Sequence, residues 1–394
     1  MSSHDRNIQV EPEASYCPYP LYTELRERGV TFVEEAGAFM VTRAEDVDTV
    51  LRDVETFSSR DTIGLPPAEP GGEPTGPGFY LVDTDAPEHS RRRRLAARAF
   101  TSGRVARFEP EIRAMGAELI EGLRGRDEVD FVADFAVKLP IAAIATVLGV
   151  EEADTAAMRR LSEKVLSVLG DAPDPVGFAR ACEEFGALLA PALEAAAGVE
   201  QETTILHTIA ASEIGAEDAM RFVIELLFAG NVTTADAISS STRFLAEDVR
   251  LADRLRREPS RLAPFVEESL RLESPVQGLF RTATRDTELG GSPIPAGARL
   301  LVGFGAGNRD PKLVERPDEL DLDRVSPHSH FAFGRGAHTC LGHALARLEV
   351  RVALEVLLGT VRRFELTVPP ERLDYQRILS VRHLQSLPLR LYWS

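Results

Sequence analysis

Residues 331–347 read FAFGRGAHTCLGHALAR, a glycine-rich, aromatic-led loop that carries Cys340 straight into an apolar-periodic stretch. Leu341, Leu345, Leu348, Val352 and Val356 recur at steps of three or four, the mark of an amphipathic helix. Cys340 is therefore expected at or just before a helix N-terminus, where unpaired N–H groups and the positive end of the dipole favour thiolate over thiol. Such a sulfur can ligate a metal or act as a nucleophile. Gly334, Gly336 and Gly342 permit approaches that a side chain would forbid, which suits a flat group lying against the loop with Phe333 beside the sulfur. Taken alone, the cysteine also fits an inert buried thiol. A phosphate cradle would end in Gly-Lys-Ser/Thr, which this loop does not have. A cysteine hydrolase would use His338 as base, but a position two residues before the nucleophile, just ahead of a helix, is a poor geometry for that pair.

Three further groups place reactive side chains at helical spacing. In LVDTDAPEHSRRRRLAARAF, His89 and Arg93 are four apart and share a face, which by default is a solvated basic face. In ELLFAGNVTTADAI, Ala229, Gly230 and Thr233 fall mid-helix. Gly230 weakens the helix there and threonine hydroxyls bond back to the preceding turn, so a bend that opens a groove is expected. Glu268 and Arg271 are three apart on a helix ended by Ser274-Pro275, and Arg324 follows in PDELDLDR. An isolated Glu-x-x-Arg is most often a surface pair of little consequence.

The spacing Phe333-x-x-Gly336-x-x-x-Cys340-x-Gly342 resembles the cysteine-ligand loop of the cytochrome P-450 haem-thiolate family, and the other groups resemble that family's motifs in the same order. The resemblance covers roughly the whole chain, strongest over 268–347 and weakest over 151–215. It implies a mainly α fold with a small β-rich region, one domain over 1–394, with β-rich parts near 30–42, 280–304 and 376–392. Haem b would lie between the Gly230 helix and the Cys340 loop, with the Cys340 thiolate as proximal iron ligand, whose electron donation favours O–O cleavage. His89, Arg93, Arg281 and His338 would hold the haem propionates, carboxylates that suit guanidinium and imidazolium partners. Phe333 and Gly342 would border the cofactor. Ala229, Gly230 and Thr233 would form the oxygen site, departing from the family's Ala-Gly-x-Glu/Asp-Thr at Val232, a side chain that cannot relay a proton. Asp236, three residues after Thr233, would reach the groove through ordered water in place of the acid, with Asn231 orienting that water. Glu268, Arg271 and Arg324 would brace the cysteine loop, and residues 58–80, 276–279 and 379–381 would line the substrate pocket.

The implied reaction is O2-dependent hydroxylation or epoxidation of a small, largely apolar organic substrate in secondary-metabolite tailoring. Electrons would come from NAD(P)H through ferredoxin reductase and ferredoxin, the latter docking on Arg91, Arg92, Arg94, Arg98 and Arg335. Two other readings stay open. Val232 motivates a haem-thiolate nitric oxide reductase or peroxide-driven enzyme, and degenerate members of the family motivate a catalytically silent partner protein.

These side chains need elements to hold them. Helical patterns run over 19–28, 44–51, 108–123, 137–148, 155–169, 176–197 and 216–246, the last longer than an ordinary globular helix. Asp85 and Pro87 read as cap and early proline of the helix bearing His89. Alternation at 31–33 and 39–42 predicts a hairpin, strand-like pieces follow at 279–291 and 298–311, and 377–393 alternates enough for a second hairpin. Residues 66–78 read as a long loop.

With 394 residues, 44% of them hydrophobic, the chain can bury a large core, and no repeat or low-complexity linker divides it. A net charge of −17 argues against general nucleic-acid binding. The opening stretch has no apolar run resembling a signal or anchor, and runs such as 140–150 are too short to span a bilayer, so a soluble, cytoplasmic monomer is expected. Cys17, Cys182 and Cys340 are few and far apart, which argues against a disulfide framework.

Overall fold

The computed structural model describes residues 17–60, 62, 79–98, 100–150, 155–167, 175–197, 204–212, 214–376 and 378–393. The chain starts with α1 (Tyr19–Arg28), β1 (Thr31–Val33), β2 (Ala38–Val41), α2 (Ala44–Arg52) and β3 (Phe57–Ser58). Next come α3 (Glu88–Ala97), α4 (Ser102–Arg107), α5 (Glu109–Glu121), β4 (Glu128–Asp130), a π-helical turn over Val132–Ala136 and α6 (Lys138–Leu148). α7 (Thr155–Ser167), α8 (Pro175–Ala196) and α9 (Ile205–Ala210) lead into α10 (Ala216–Glu247). The remainder holds α11 (Val249–Arg257), α12 (Leu262–Leu272), β5 (Gly278–Ala283), β6 (Thr287–Leu289), β7 (Ser292–Ile294), β8 (Arg299–Gly303), α13 (Phe304–Gly307), α14 (His343–Thr360), β9 (Val361–Leu366) and β10 (Pro388–Trp393). The architecture is mainly helical with small sheets.

Local chemistry explains most of these boundaries. The N-terminus of α2 carries Glu45 and Asp46 in its first turn, which suits the helix dipole, and the Ala44 N–H donates to the Asp310 carboxylate at 2.8 Å. Gly149 ends α6 at φ +88, the left-handed cap that glycine favours. Asp248 separates α10 from α11 by accepting the N–H groups of Arg250 and Leu251. At 32 residues α10 is about 48 Å long, and it packs against α6, α8, α12 and α14. Among the described residues it is the one helix long and apolar enough to cross a membrane, yet 78% of that apolar window is buried inside the protein, as in a core helix. Small buried residues let α12 approach it: Ser241 and Ser269 hydroxyls meet at 2.7 Å.

The strands form a five-stranded sheet in the order β1-β2-β8-β5-β3, a three-stranded sheet β4-β10-β9 and the ribbon β6-β7. The expected first hairpin is there, with Thr31 opposite Met40. Residues 377–393 do not form the expected second hairpin. An antiparallel bridge between Tyr375 and Leu384 closes a loop, and β10 then pairs with β9 and β4. Alternation marks a strand without naming its partner. Asp85 does not cap α3 either: its carboxylate accepts the Ser58 hydroxyl and the Ser59 N–H, at 2.5 and 2.8 Å. The expected loop at 66–78 and the end of the 155–169 helix lie outside the described residues.

Candidate active site

Cys340 hangs from a turn in which Gly334 and Gly336 take φ of +62 and +71, a region L side chains rarely adopt. A Cβ on Gly336 would collide with the Leu51 carbonyl oxygen, so α2 fixes the loop from one side. The Cys340 N–H donates to the Phe333 carbonyl at 2.8 Å, while the N–H groups of Gly342 and His343, at the start of α14, reach the sulfur. Burial nevertheless pushes the thiol up, against those donors and against Arg93 and Arg347. A cation bound there would hold the sulfur as thiolate. The sulfur faces an internal cavity, and no atom lies within 4 Å of where a Gly342 Cβ would stand, which leaves room for a flat group beside it.

That cavity encloses about 1450 Å³ of empty space, its mouth included, and His89, Arg93, Arg281 and His338 converge on its lining. Arg93 donates to the Thr339 carbonyl at 2.5 Å, and Arg281 to the Phe280 carbonyl and Thr62 hydroxyl at 2.7 and 3.3 Å. Neither makes an ion pair among the described residues, and burial lowers both, Arg281 to about 10, with Asp83 and Asp85 opposing from a distance. A buried and a half-buried guanidinium beside an apolar cavity call for an anion. The His89 and His338 rings stack at 3.8 Å, and the buried His89 Nε2 has no partner among the described residues. Burial pushes His89 down to about 4 and His338 to about 2, so they would serve as neutral N–H donors rather than the expected imidazolium. The set fits a flat, carboxylate-bearing cofactor.

On the opposite wall α10 presents Ala229, Gly230, Thr233, Thr234 and Ala237. The Thr233 hydroxyl donates to the Ala229 carbonyl at 2.7 Å, the back-bond expected for a threonine there, and hydrogen-bonded α-helix continues through this stretch. A Cβ on Gly230 would press on Ile144 of α6 at 3.4 Å. Asp236 is a correction. It does not line the cavity and pairs with His383 Nδ1 at 2.9 Å; with Val232, four residues before it, it faces the C-terminal loop that carries Val381 and His383. Asn231 likewise donates to Ser162 on α7, and Val232 packs with Phe228, Ile378 and Val381.

Sequence reasoning passed over two acids on the cavity wall. Glu349 of α14 is fully buried, its Oε2 has no partner among the described residues, and burial raises its carboxyl well above the ordinary value. Glu225 of α10 accepts the N–H groups of Leu81 and Val82 at 2.7 and 3.1 Å and is pushed up to about 8. The signal was present: Glu349 stands four residues after Leu345 on the apolar face, and Glu225 interrupts the run FVIELLFAG.

Thr62, Val276 and Leu279 line the cavity, whereas 379–381 are not among its lining residues; Val381 bridges to Val276 from behind. Most of 58–80 lies outside the described residues. Glu268 receives Arg271 through two nitrogens at 2.8 and 3.0 Å, Arg324 at 2.9 Å and the Asp321 N–H at 3.0 Å, so the expected triad is assembled, but the further bonds of Arg271 go to the carbonyls of Asn308, Pro317 and Glu319 and not to the cysteine loop. Of the basic cluster, Arg92 is drawn onto Tyr80 and Glu88, Arg91 pairs with Glu88, and Arg335 is committed to Asp48. Arg94 and Arg98 remain exposed.

A family model for Cytochrome P450 matches residues 199–374. Cytochrome P450 107B1 of Saccharopolyspora erythraea is 33% identical over 386 residues, covering 94% of each chain. The structure of cytochrome P450 CYP109Q5 from Chondromyces apiculatus matches with a TM-score of 0.87 at 31% identity, covering 97% of each chain. That of CYP109E1 from Bacillus megaterium in complex with testosterone matches at 0.84 and 28%, covering 96% of this chain and 98% of that one.

Proposed function

Because this chain belongs to the cytochrome P450 family of haem monooxygenases, we propose that it hydroxylates or epoxidises a small, largely apolar molecule with O2. Electrons would come from NAD(P)H through a ferredoxin reductase and ferredoxin. The observation that carries this reading is one apolar cavity lined by Cys340 and Thr233 together with Arg93 and Arg281, which make no ion pair among the described residues. The testosterone bound by the Bacillus megaterium relative is the kind of rigid apolar molecule such walls suit. Secondary-metabolite tailoring by a cytoplasmic, monomeric, single-domain enzyme completes the proposal.

Haem b, when bound, would supply dioxygen activation. Cys340 would ligate its iron, Arg93 and Arg281 would pair with its propionates, and His89 and His338 would donate N–H bonds to them. Gly342 leaves the loop open to a planar ring. Thr233 turns its hydroxyl along the groove, and Val276, Leu279 and Ile144 exclude water from a bound substrate. Protons would come from Glu349, which lines the same cavity and whose carboxyl burial pushes up, through ordered water. The apolar Val232, with Asp236 turned away, favours a second reading: a nitric oxide reductase or peroxide-driven enzyme, which needs no distal acid. The test is spectroscopic. The reduced carbonyl complex should show the red-shifted Soret band of thiolate ligation, and Cys340→Ala should abolish it; a variant that kept the band would overturn the assignment. NADH oxidation by nitric oxide without added ferredoxin would select the second reading.

A further inference from the structure

Two consecutive carboxylates on α12 face different parts of the molecule. Glu268 serves Arg271 and the segment around Asp321 and Arg324. Glu267, about 100° further round the helix, serves the cysteine loop. Its Oε1 accepts Arg347 Nε at 2.6 Å, and its Oε2 meets Arg347 Nη2 at 2.8 Å, His328 Nδ1 at 2.8 Å and His330 Nε2 at 3.0 Å. The carboxylate is buried, with 4% of its side chain exposed.

The held guanidinium has a second neighbour. Arg347 lies over the Phe333 ring, 4.3 Å from its centre, and its Nη1 reaches His343 Nδ1 at 3.0 Å. Phe333 in turn holds the Cys340 N–H at 2.8 Å. A continuous chain of contacts therefore runs from Glu267 through Arg347 and Phe333 to Cys340. The bidentate pair is electrically neutral, so losing either member leaves one uncompensated charge beside the loop, of opposite sign in the two cases.

We propose that Glu267 is a positioning residue that acts through Arg347 on Cys340, setting the electron density of the thiolate as well as the posture of its loop. The inference rests on Cys340 being the haem ligand, and wild-type protein with the red-shifted carbonyl band establishes that separately. The measurement is the iron midpoint potential of the haem-loaded protein by spectroelectrochemical titration. Glu267→Gln leaves Arg347 unneutralised and should shift the potential positive; Arg347→Gln leaves the carboxylate and should shift it negative. Glu267→Asp and Arg347→Lys, which keep the charges, should stay near wild type. Shifts of the same sign in both glutamine variants, or no shift in either, would reduce the pair to a structural tie and overturn the proposal. If Glu267→Gln does not fold, the Arg347 variants decide: a negative shift in Arg347→Gln that Arg347→Lys does not show supports it, and equal potentials overturn it. Wild-type protein without the band would remove the haem-thiolate reading and this inference with it.

Discussion

Glu349 and Asp236 are both buried carboxyls, and burial raises both, yet their surroundings differ. Asp236 answers His383, a partner that fixes it and opposes its upward shift. Glu349 has one oxygen without a partner among the described residues and a place on the cavity wall. A proton donor must hold a proton and open onto the groove, and the burial that raises the Glu349 carboxyl, together with its place in the cavity lining, supports the proposed role. Glu349→Gln is expected to lower product formed per NAD(P)H consumed by about tenfold, below the usual range for a positioned acid because water can substitute in part. Thr233→Ala should lower it as well, whereas Asp236→Asn should leave it near wild type. Coupling assays on a turned-over substrate check all three, and unchanged coupling in Glu349→Gln would move the proton source elsewhere.

At the scale of elements, the loop between Tyr375 and Leu384 is tied by charge just after Val381, to the end of α12 and to α10. Arg382 pairs with the buried Glu273 at 3.1 Å and His383 with Asp236 at 2.9 Å. Ile378 and Val381 are thereby held on Val232 and Phe228. Removing one partner of a buried pair costs more than the pair contributes, because the other charge stays desolvated. His383→Ala should therefore destabilise the fold by about 3 kcal/mol, read as a lower urea midpoint with an unchanged slope. Arg94 on α3 and Arg98 just beyond it are exposed members of the basic cluster, and they are the proposed contact for an acidic ferredoxin. Reversing both to Glu should slow electron transfer at low ionic strength and matter less at high, since complementary charge acts mainly on association rate. Equal rates at low salt would place the docking face elsewhere.

For the whole molecule, the buried acids act on stability in opposite directions. Glu267, Glu268 and Glu273 are held below their ordinary value of 4.5, each opposed by burial and won over by arginine or histidine partners. Their stabilisation is fully present above 4.5 and is lost as pH falls through their folded values. Glu225, raised to about 8, does the reverse: it costs stability as pH climbs from 4.5 toward 8, because the unfolded carboxyl ionises first. Denaturation measured across pH should show an acid limb that Glu267→Gln flattens and a decline between 4.5 and about 8 that Glu225→Gln flattens. What was legible in the sequence was whatever depends on near neighbours along the chain. The helix periods, the glycine turn before Cys340, the hairpin at β1 and β2 and the Glu268-x-x-Arg271 spacing are all local, and each lies within one element or one turn. Tertiary structure decided the rest. Asp236 shares a helix with Thr233, but only the packed C-terminal loop determines that His383, 147 residues away, claims it. Alternation over 377–393 could not say that β10 would leave its neighbour for β9 and β4. The helix start at Cys340 foretold N–H groups at the sulfur, but only the fold brings Arg93 and Arg347 to it. Pairing, burial and charge compensation are settled among residues far apart in the chain, and those distances close only when it folds.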